Sequence, residues 1–291
     1  MQLVLHAGAH FTEENRLMKC LLRNKDSLHN AGVAVPGPGR YRDLLRGVAT
    51  ADPDESFFPQ ARDALIEAML DGETADRVLL STAHIFGWPR AAVRQGMMYP
   101  QAADRLAQIA AVFRHEDIEL FMAIRNPATF IPACFAKHPE EDILEFLGGW
   151  DPLDIRWSDT FEMIRSVVPD IPITVWCNED APLLWSQVIR EISGLEHGTP
   201  IVGGFDLFEE IIAEDGRKRF RSYLENKPNL TEIQLRRVMA AFLEKFALDD
   251  VIEEEVDLQG WTTGLISEMS EQYEEDVALI SRIPGVEVLT L

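Results

Sequence analysis

Two rhythms of apolar residues alternate along the chain. Short, nearly unbroken runs occur at Leu3-Val4-Leu5, at Val78-Leu79-Leu80, over 118–124 and over 172–177. Runs of this length, apolar to both sides, read as strands buried on both faces of a parallel sheet. Between them the apolar residues recur at helical spacing. Leu17, Met18, Leu21 and Leu22 form one such set, and Ala61, Leu65, Ile66 and Met69 another. Ala103, Leu106, Ile109, Ala110 and Phe113 form a third. The pattern further predicts helices from Ala128, over 142–147, over 157–168, after Asn178-Glu179-Asp180 and over 259–281, with a closing strand at Val286-Glu287-Val288-Leu289. Strands alternating with helices predict an α/β fold: three layers, a mainly parallel sheet and right-handed crossovers.

The rhythm changes after Gly194. Residues 194–205 are glycine-rich and irregular, and two helices follow, over 207–224 and 231–247. Thr231 is placed to cap the second. Arg217-Lys218-Arg219 and Arg221 put the densest positive charge of the chain on the first. The segment 205–247 reads as a helical lid on one domain spanning 1–291. A second basic cluster, Arg40, Tyr41, Arg42 and Arg46, reads as a solvated helix face or as an anion contact.

Composition narrows the functional classes. A chain of 291 residues with 46% hydrophobic content is long enough for a sizeable core. Its formal net charge of −22 argues against nucleic acid, whose binding requires neutralising phosphates. The same charge disfavours an anionic membrane surface. Met1 to Leu5 meets His6 too soon for a signal sequence, and no apolar run nears the roughly eighteen residues of a membrane span. Cys20, Cys134 and Cys177 stand far apart in apolar surroundings, as reduced, buried thiols of a cytoplasmic protein would. No Cys or His spacing calls for a structural metal.

The candidate chemistry sits at the start of the chain. A strand, the segment His6-Ala7-Gly8-Ala9-His10-Phe11-Thr12 and a helix follow in order. This is the local architecture of a phosphate-cradling loop, which turns backbone N–H groups and a helix N-terminus toward an anion. The side chains differ from those of a working loop. Phe11 stands where a Lys would serve, and Glu13, Glu14 and Asn15 stand where Gly and hydroxyls would. A carboxylate about 4 Å from a phosphate oxygen costs roughly 1 to 4 kcal/mol. Ser81 and His84 fall at the C-terminal end of the second apolar strand, where ligands of open α/β sheets lie. Arg125 ends the third and is a natural phosphate ligand.

His6-Ala7-Gly8-Ala9-His10 with Thr12 resembles the opening of the bacterial sulfotransferase pattern H-x-G-x-H-K-T-G-T-[ST]-S-[LI]-Q. The segment Phe121 to Pro127 resembles that family's second signature, a strand ending in Arg-[Asn/His/Asp]-Pro. Tyr273, Asp276 and Leu279 resemble its C-terminal Tyr-x-x-Asp helix. The resemblance implies a P-loop-like α/β fold and 3′-phosphoadenosine 5′-phosphosulfate (PAPS) as cofactor. It implies Gly8, Thr12, Ser81 and Arg125 as cofactor-binding residues and His10 and His84 as catalytic ones, with no metal. The family holds the cofactor's 3′-phosphate with this Arg and a Ser eight positions later. That position is Ala133 here. Losing one anchoring donor from a preorganised site costs on the order of a hundredfold in rate. The resulting expectation is a diverged sulfotransferase-family protein, poor or inactive in PAPS-dependent transfer. Two alternatives stay open. One is an active enzyme acting on a hydroxyl acceptor. The other is a metal-binding or protein-interaction module on the same fold, with His6, His10, His84, Glu13 and Glu14 converging on a metal, or a nucleotide, small molecule or protein as partner.

Overall fold

A computed structural model describes residues 1–13, 15–51, 57–137, 142–227, 230–252 and 254–291. Glu14 and most of the polar, loop-like stretch 51–56 lie outside them. In chain order the elements begin with β1 (Gln2–His6), α1 (Arg16–Arg23), α2 (Lys25–Asn30), β2 (Val33–Ala34), α3 (Pro38–Ala49), α4 (Phe57–Leu70) and β3 (Arg77–Ser81). A hairpin, β4 (Val93–Arg94) with β5 (Met97–Met98), precedes α5 (Ala102–Val112) and β6 (Asp117–Ile124). Then come α6 (Pro127–Phe135), α7 (Ile143–Phe146), α8 (Trp157–Val167), β7 (Ile173–Cys177) and α9 (Ala181–Ser193). The chain ends with α10 (Asp206–Glu210), α11 (Glu214–Asn226), α12 (Glu232–Phe246), α13 (Asp249–Ile252), α14 (Thr263–Ile280) and β8 (Val286–Leu289).

Six strands form one parallel sheet in the order β2-β3-β1-β6-β7-β8. The apolar runs dictate this burial. Alternate residues of each central strand face opposite layers, and both layers are apolar. Leu3, Leu5, Val78, Leu80, Leu120, Met122 and Val175 point into a core built with α3, α4, α5, α6, α8 and α14. Val4, Leu79, Phe121, Ala123 and Trp176 point the other way, onto α1, α2 and α9. The chain is therefore a three-layer α/β protein with helices on both sheet faces. The first strand is interior, flanked by β3 and β6. The chain leaves it toward one edge and later returns past it toward the other, which opens a crevice at its C-terminal end.

Two polar devices fix the frame. At the N-terminal edge, Arg77 donates to Ile192 O (2.9 Å) and Glu191 O (3.3 Å), and pairs with Glu119 (2.7 Å) and Gln2. One guanidinium thus joins β1, β3, β6 and the end of α9. At the other device, Asp276 of α14 is buried and accepts Trp157 N–H (2.7 Å) and Ser158 N–H (3.3 Å). The carboxyl group of one helix serves the open N–H groups of another.

The segment expected as a helical pair is three helices. Ile212 is fully buried, bridges to Ala247 and breaks the first helix between α10 and α11. Phe208, Ile212, Phe220 and Met239 form a small core of their own, against which Leu183 of α9 packs. The basic residues are matched locally: Lys218 with Glu214 (3.5 Å), Arg219 with Asp215 (3.0 Å) and Arg221 with Glu209. Thr231 does cap α12, with Gln234 completing the reciprocal pair. The last helix starts at Thr263, later than its apolar pattern predicts, because Trp261 turns inward to donate to Ala128 O (2.8 Å). The three cysteines are free and buried. No described helix is long and apolar enough to cross a membrane.

Replacing Asp276 with Ala strips two N–H groups at the start of α8 of their acceptor. The expected loss is about 2 kcal/mol of folding stability, read as a lower denaturant midpoint at unchanged slope. Asp276→Asn keeps one acceptor and costs less. Equal midpoints for all three proteins would show that the cap does not hold α14 to α8.

Candidate functional site

The loop after β1 is built by close backbone approach. Ala7 N–H donates to Phe121 O (3.0 Å) and Ala9 N–H to Ala123 O (2.7 Å), so the loop continues β1's pairing with β6. Gly8 lies between them at φ +87°, and a Cβ there would stand 3.0 Å from Ala83 Cβ. Only glycine fits that conformation and that gap. Phe11 (φ 58°) and Asn15 (φ 65°) also take the left-handed region, which costs a bulky side chain roughly 1–2 kcal/mol. Arg125 holds the first of these, donating to Phe11 O at 2.7 Å. The N-terminus of α1 begins just beyond, with no side-chain cap.

Glu13 sits inside this loop. The residue is only 6% exposed. Its Oε2 accepts from the Thr12 hydroxyl (2.5 Å), and Thr12 Oγ1 also lies 2.8 Å from Ala9 O. Its Oε1 lies 3.2 Å from His6 Nε2, a close electrostatic contact without aligned hydrogen-bond geometry. The other ring nitrogen of His6, Nδ1, is 2.9 Å from Ser81 Oγ, and the ring stacks on Trp176. Burial holds His6 below its ordinary pKa, Glu13 raises it in part, and Arg42 lowers it further. The imidazole is neutral at pH 7. Serine, imidazole and carboxyl stand in line, but Ser81 is 5% exposed and Tyr41 holds its backbone. The Tyr41 hydroxyl accepts Ser81 N–H (2.8 Å) and donates to Ser81 O (3.1 Å). The row is a packed polar core rather than an accessible nucleophile.

A second chain starts at Tyr99. Its oxygen accepts His10 N–H (2.9 Å), and its O–H faces His10 Nδ1 at 2.6 Å. The phenol is fully buried, so its single proton goes to Nδ1. That leaves the His10 proton on Nε2, which faces His84 Nδ1 at 3.0 Å. His84 is half-buried and packs on Trp88, whose ring is 55% exposed and carries Arg46 at 5.8 Å. The relay therefore runs from the core to the surface. Burial first, and His84 second, push His10 down to about 3. His84 is lowered by burial, then by Arg42 and Arg46. Burial raises Tyr99 well above the phenol range. All three groups are neutral at pH 7.

Arg125 has no arm to spare. Besides Phe11 O it donates to Thr129 Oγ1 (3.0 Å) and pairs with Glu254. The helix it precedes, α6, is capped by Asn126, whose side chain accepts Ala128 N–H (2.9 Å). Arg42 donates to Ser81 O (3.0 Å) and to Asn15 Oδ1 (3.1 Å). Of the residues singled out from sequence, His10 and His84 meet directly. Gly8 and Thr12 shape the loop, Ser81 joins His6, and Arg125 stands at the crevice fully engaged. Of the residues in the metal reading, His6 lies with Ser81 and Glu13, His10 meets His84, and Glu14 lies outside the described residues. Among the described residues no three His, Cys, Asp or Glu side chains come together as metal ligands. Sequence reasoning misses Tyr99 and Glu254, and it offers Tyr41 only as part of the basic cluster with Arg40, Arg42 and Arg46. Neither a scan against protein-family models nor a search of curated proteins gives a match to this chain.

The depressed histidines give folding a pH dependence. An unfolded His takes up a proton near pH 6.5, whereas folded His10 declines it down to about 3. His10 therefore contributes stability above pH 6.5 that is lost as pH falls through that window, by up to about 1.4 kcal/mol per pH unit. His6 and His84 act in the same sense. The denaturant midpoint should fall between pH 7 and 5, and less steeply in His10→Gln. An identical slope in the variant would mean that His10 is protonated in the folded protein.

Proposed function

We propose that this chain is a diverged sulfotransferase-like protein in which the loop after β1 no longer cradles a cofactor phosphate. The observation that carries the reading is the Glu13 carboxyl group, buried within the loop and held by Thr12 beside His6. A phosphate cradled by that loop would have the buried carboxyl group as a close neighbour. Two of the loop's backbone N–H groups, on Ala7 and Ala9, are already committed to β6 carbonyls. The helix end offers an anion up to about 2 kcal/mol, which displacing and unpairing a buried carboxyl group would offset. Arg125, the expected ligand of the 3′-phosphate, is bound to Thr129, Phe11 and Glu254. The parallel sheet with an interior first strand, followed by loop and helix, supports the sulfotransferase-like type.

Transfer to a hydroxyl acceptor is the second reading. The His10–His84 contact favours it, since a neutral imidazole chain from Tyr99 to the surface is able to move a proton. A base whose conjugate acid lies at about 3 is weak against an alcohol at pH 7. The first reading therefore carries more of the observed geometry.

Calorimetric titration with 3′-phosphoadenosine 5′-phosphate, at low salt with a chelator, separates the two. The expected result is no saturable binding up to millimolar ligand by a protein shown to be folded. Micromolar binding that disappears in Arg125→Ala would overturn the proposal and restore a working nucleotide site.

A further inference from the structure

A sizeable cavity lies away from the β1 loop, between the end of α6, α7 and the turn before α14. Its volume is about 790 Å³, within the range of roughly 300–1,000 Å³ usual for small-molecule sites. Its floor is apolar: Leu147 and Trp261 are buried there, and the Trp261 indole N–H is spent on Ala128 O. Its outer wall is Trp150, 48% exposed, and Leu144, 65% exposed. Trp150 is held in place rather than free. Its ring lies against Gly96 of the β4–β5 hairpin, where a Cβ would come within 2.5 Å.

The charge at this cavity has one sign. Among the described residues Asp142 and Asp151 belong to its lining, and no Lys or Arg does. Each carboxyl group caps a short helical turn through a single oxygen. Asp142 Oδ1 accepts Leu144 N–H (2.8 Å), and Asp151 Oδ1 accepts Leu153 N–H (3.0 Å). Among the described residues the second oxygen of each meets no hydrogen-bond partner. The chain as a whole carries −22. An anionic amphiphile would be repelled there, while a cation facing two carboxylates beside an indole gains both Coulomb and cation–π attraction.

We propose that this cavity binds an amphipathic cation: an alkyl- or arylammonium whose apolar part lies on Trp261, Leu147 and Trp150 and whose charged head faces Asp142 and Asp151. This assignment does not depend on the reading of the β1 loop.

The test is calorimetric titration of the full chain with decyltrimethylammonium below its micelle concentration, with decanoate as the opposite-charge control. One saturable site for the cation and none for decanoate is expected. Asp142→Asn and Asp151→Asn keep an acceptor for each cap and remove one charge, so each should stay folded and bind about fivefold more weakly, the change for a pair worth ~1 kcal/mol. Leu144→Ser, at an exposed wall position, should also weaken binding. Glu287→Gln, on exposed β8 surface, should not. Equal binding of decanoate, absence of a saturable site, or unchanged affinity in the folded Asn variants would overturn the assignment.

Discussion

A carboxyl group buried at the C-terminal end of the first strand sets the terms for everything around it. Burying such a group costs several kcal/mol unless hydrogen bonds and nearby dipoles compensate. Glu13 finds the Thr12 hydroxyl and the edge of His6. Those partners are then unavailable for other work. His6 must stay neutral and aligned with Ser81, and Ser81 must be pinned by Tyr41. The loop between His6 and Glu13 must follow β6 closely, which requires Gly8. One acidic side chain turned inward thus accounts for the order of a loop whose outline suits an anion from outside.

Electrostatics at the crevice follow the same economy. In a chain of −22, the two guanidinium groups described at the crevice are already engaged. Arg125 is closed by Glu254 and Arg42 by Asn15 and a carbonyl. The histidines are kept neutral chiefly by burial, with Arg42 adding to the effect at His6 and His84. What remains polarisable is the file from Tyr99 through His10 to His84, ending against an exposed tryptophan.

The sheet was legible in the sequence because a parallel strand buried on both faces announces itself by apolar continuity. Residues 77–81 and 118–124 needed no distant information, and the alternation with helical spacing implied the layers. The β4–β5 hairpin was not legible, since two-residue strands carry no period. The break between α10 and α11 was hidden because Ile211-Ile212-Ala213 is as apolar as a helix interior, and only the bridge to Ala247 decides against it. His10 and His84 were visible as candidates, but their contact spans 74 positions and runs through Tyr99, which a helical pattern absorbs. Arg125 was visible too. Its closure by Glu254, 129 positions away in an acidic stretch that reads as solvated, was not. Most of all, an acidic residue in the first turn before a helix reads as exposed, and the inward turn of Glu13 depends on tertiary packing that no local pattern encodes.

The most direct measurement is a crystal structure of the protein grown from concentrated sulfate. The account predicts Glu13 still hydrogen-bonded to Thr12 beside His6, with no sulfate between Ala7 and Thr12. A sulfate held there by the loop's backbone N–H groups, with Glu13 swung outward, would contradict it.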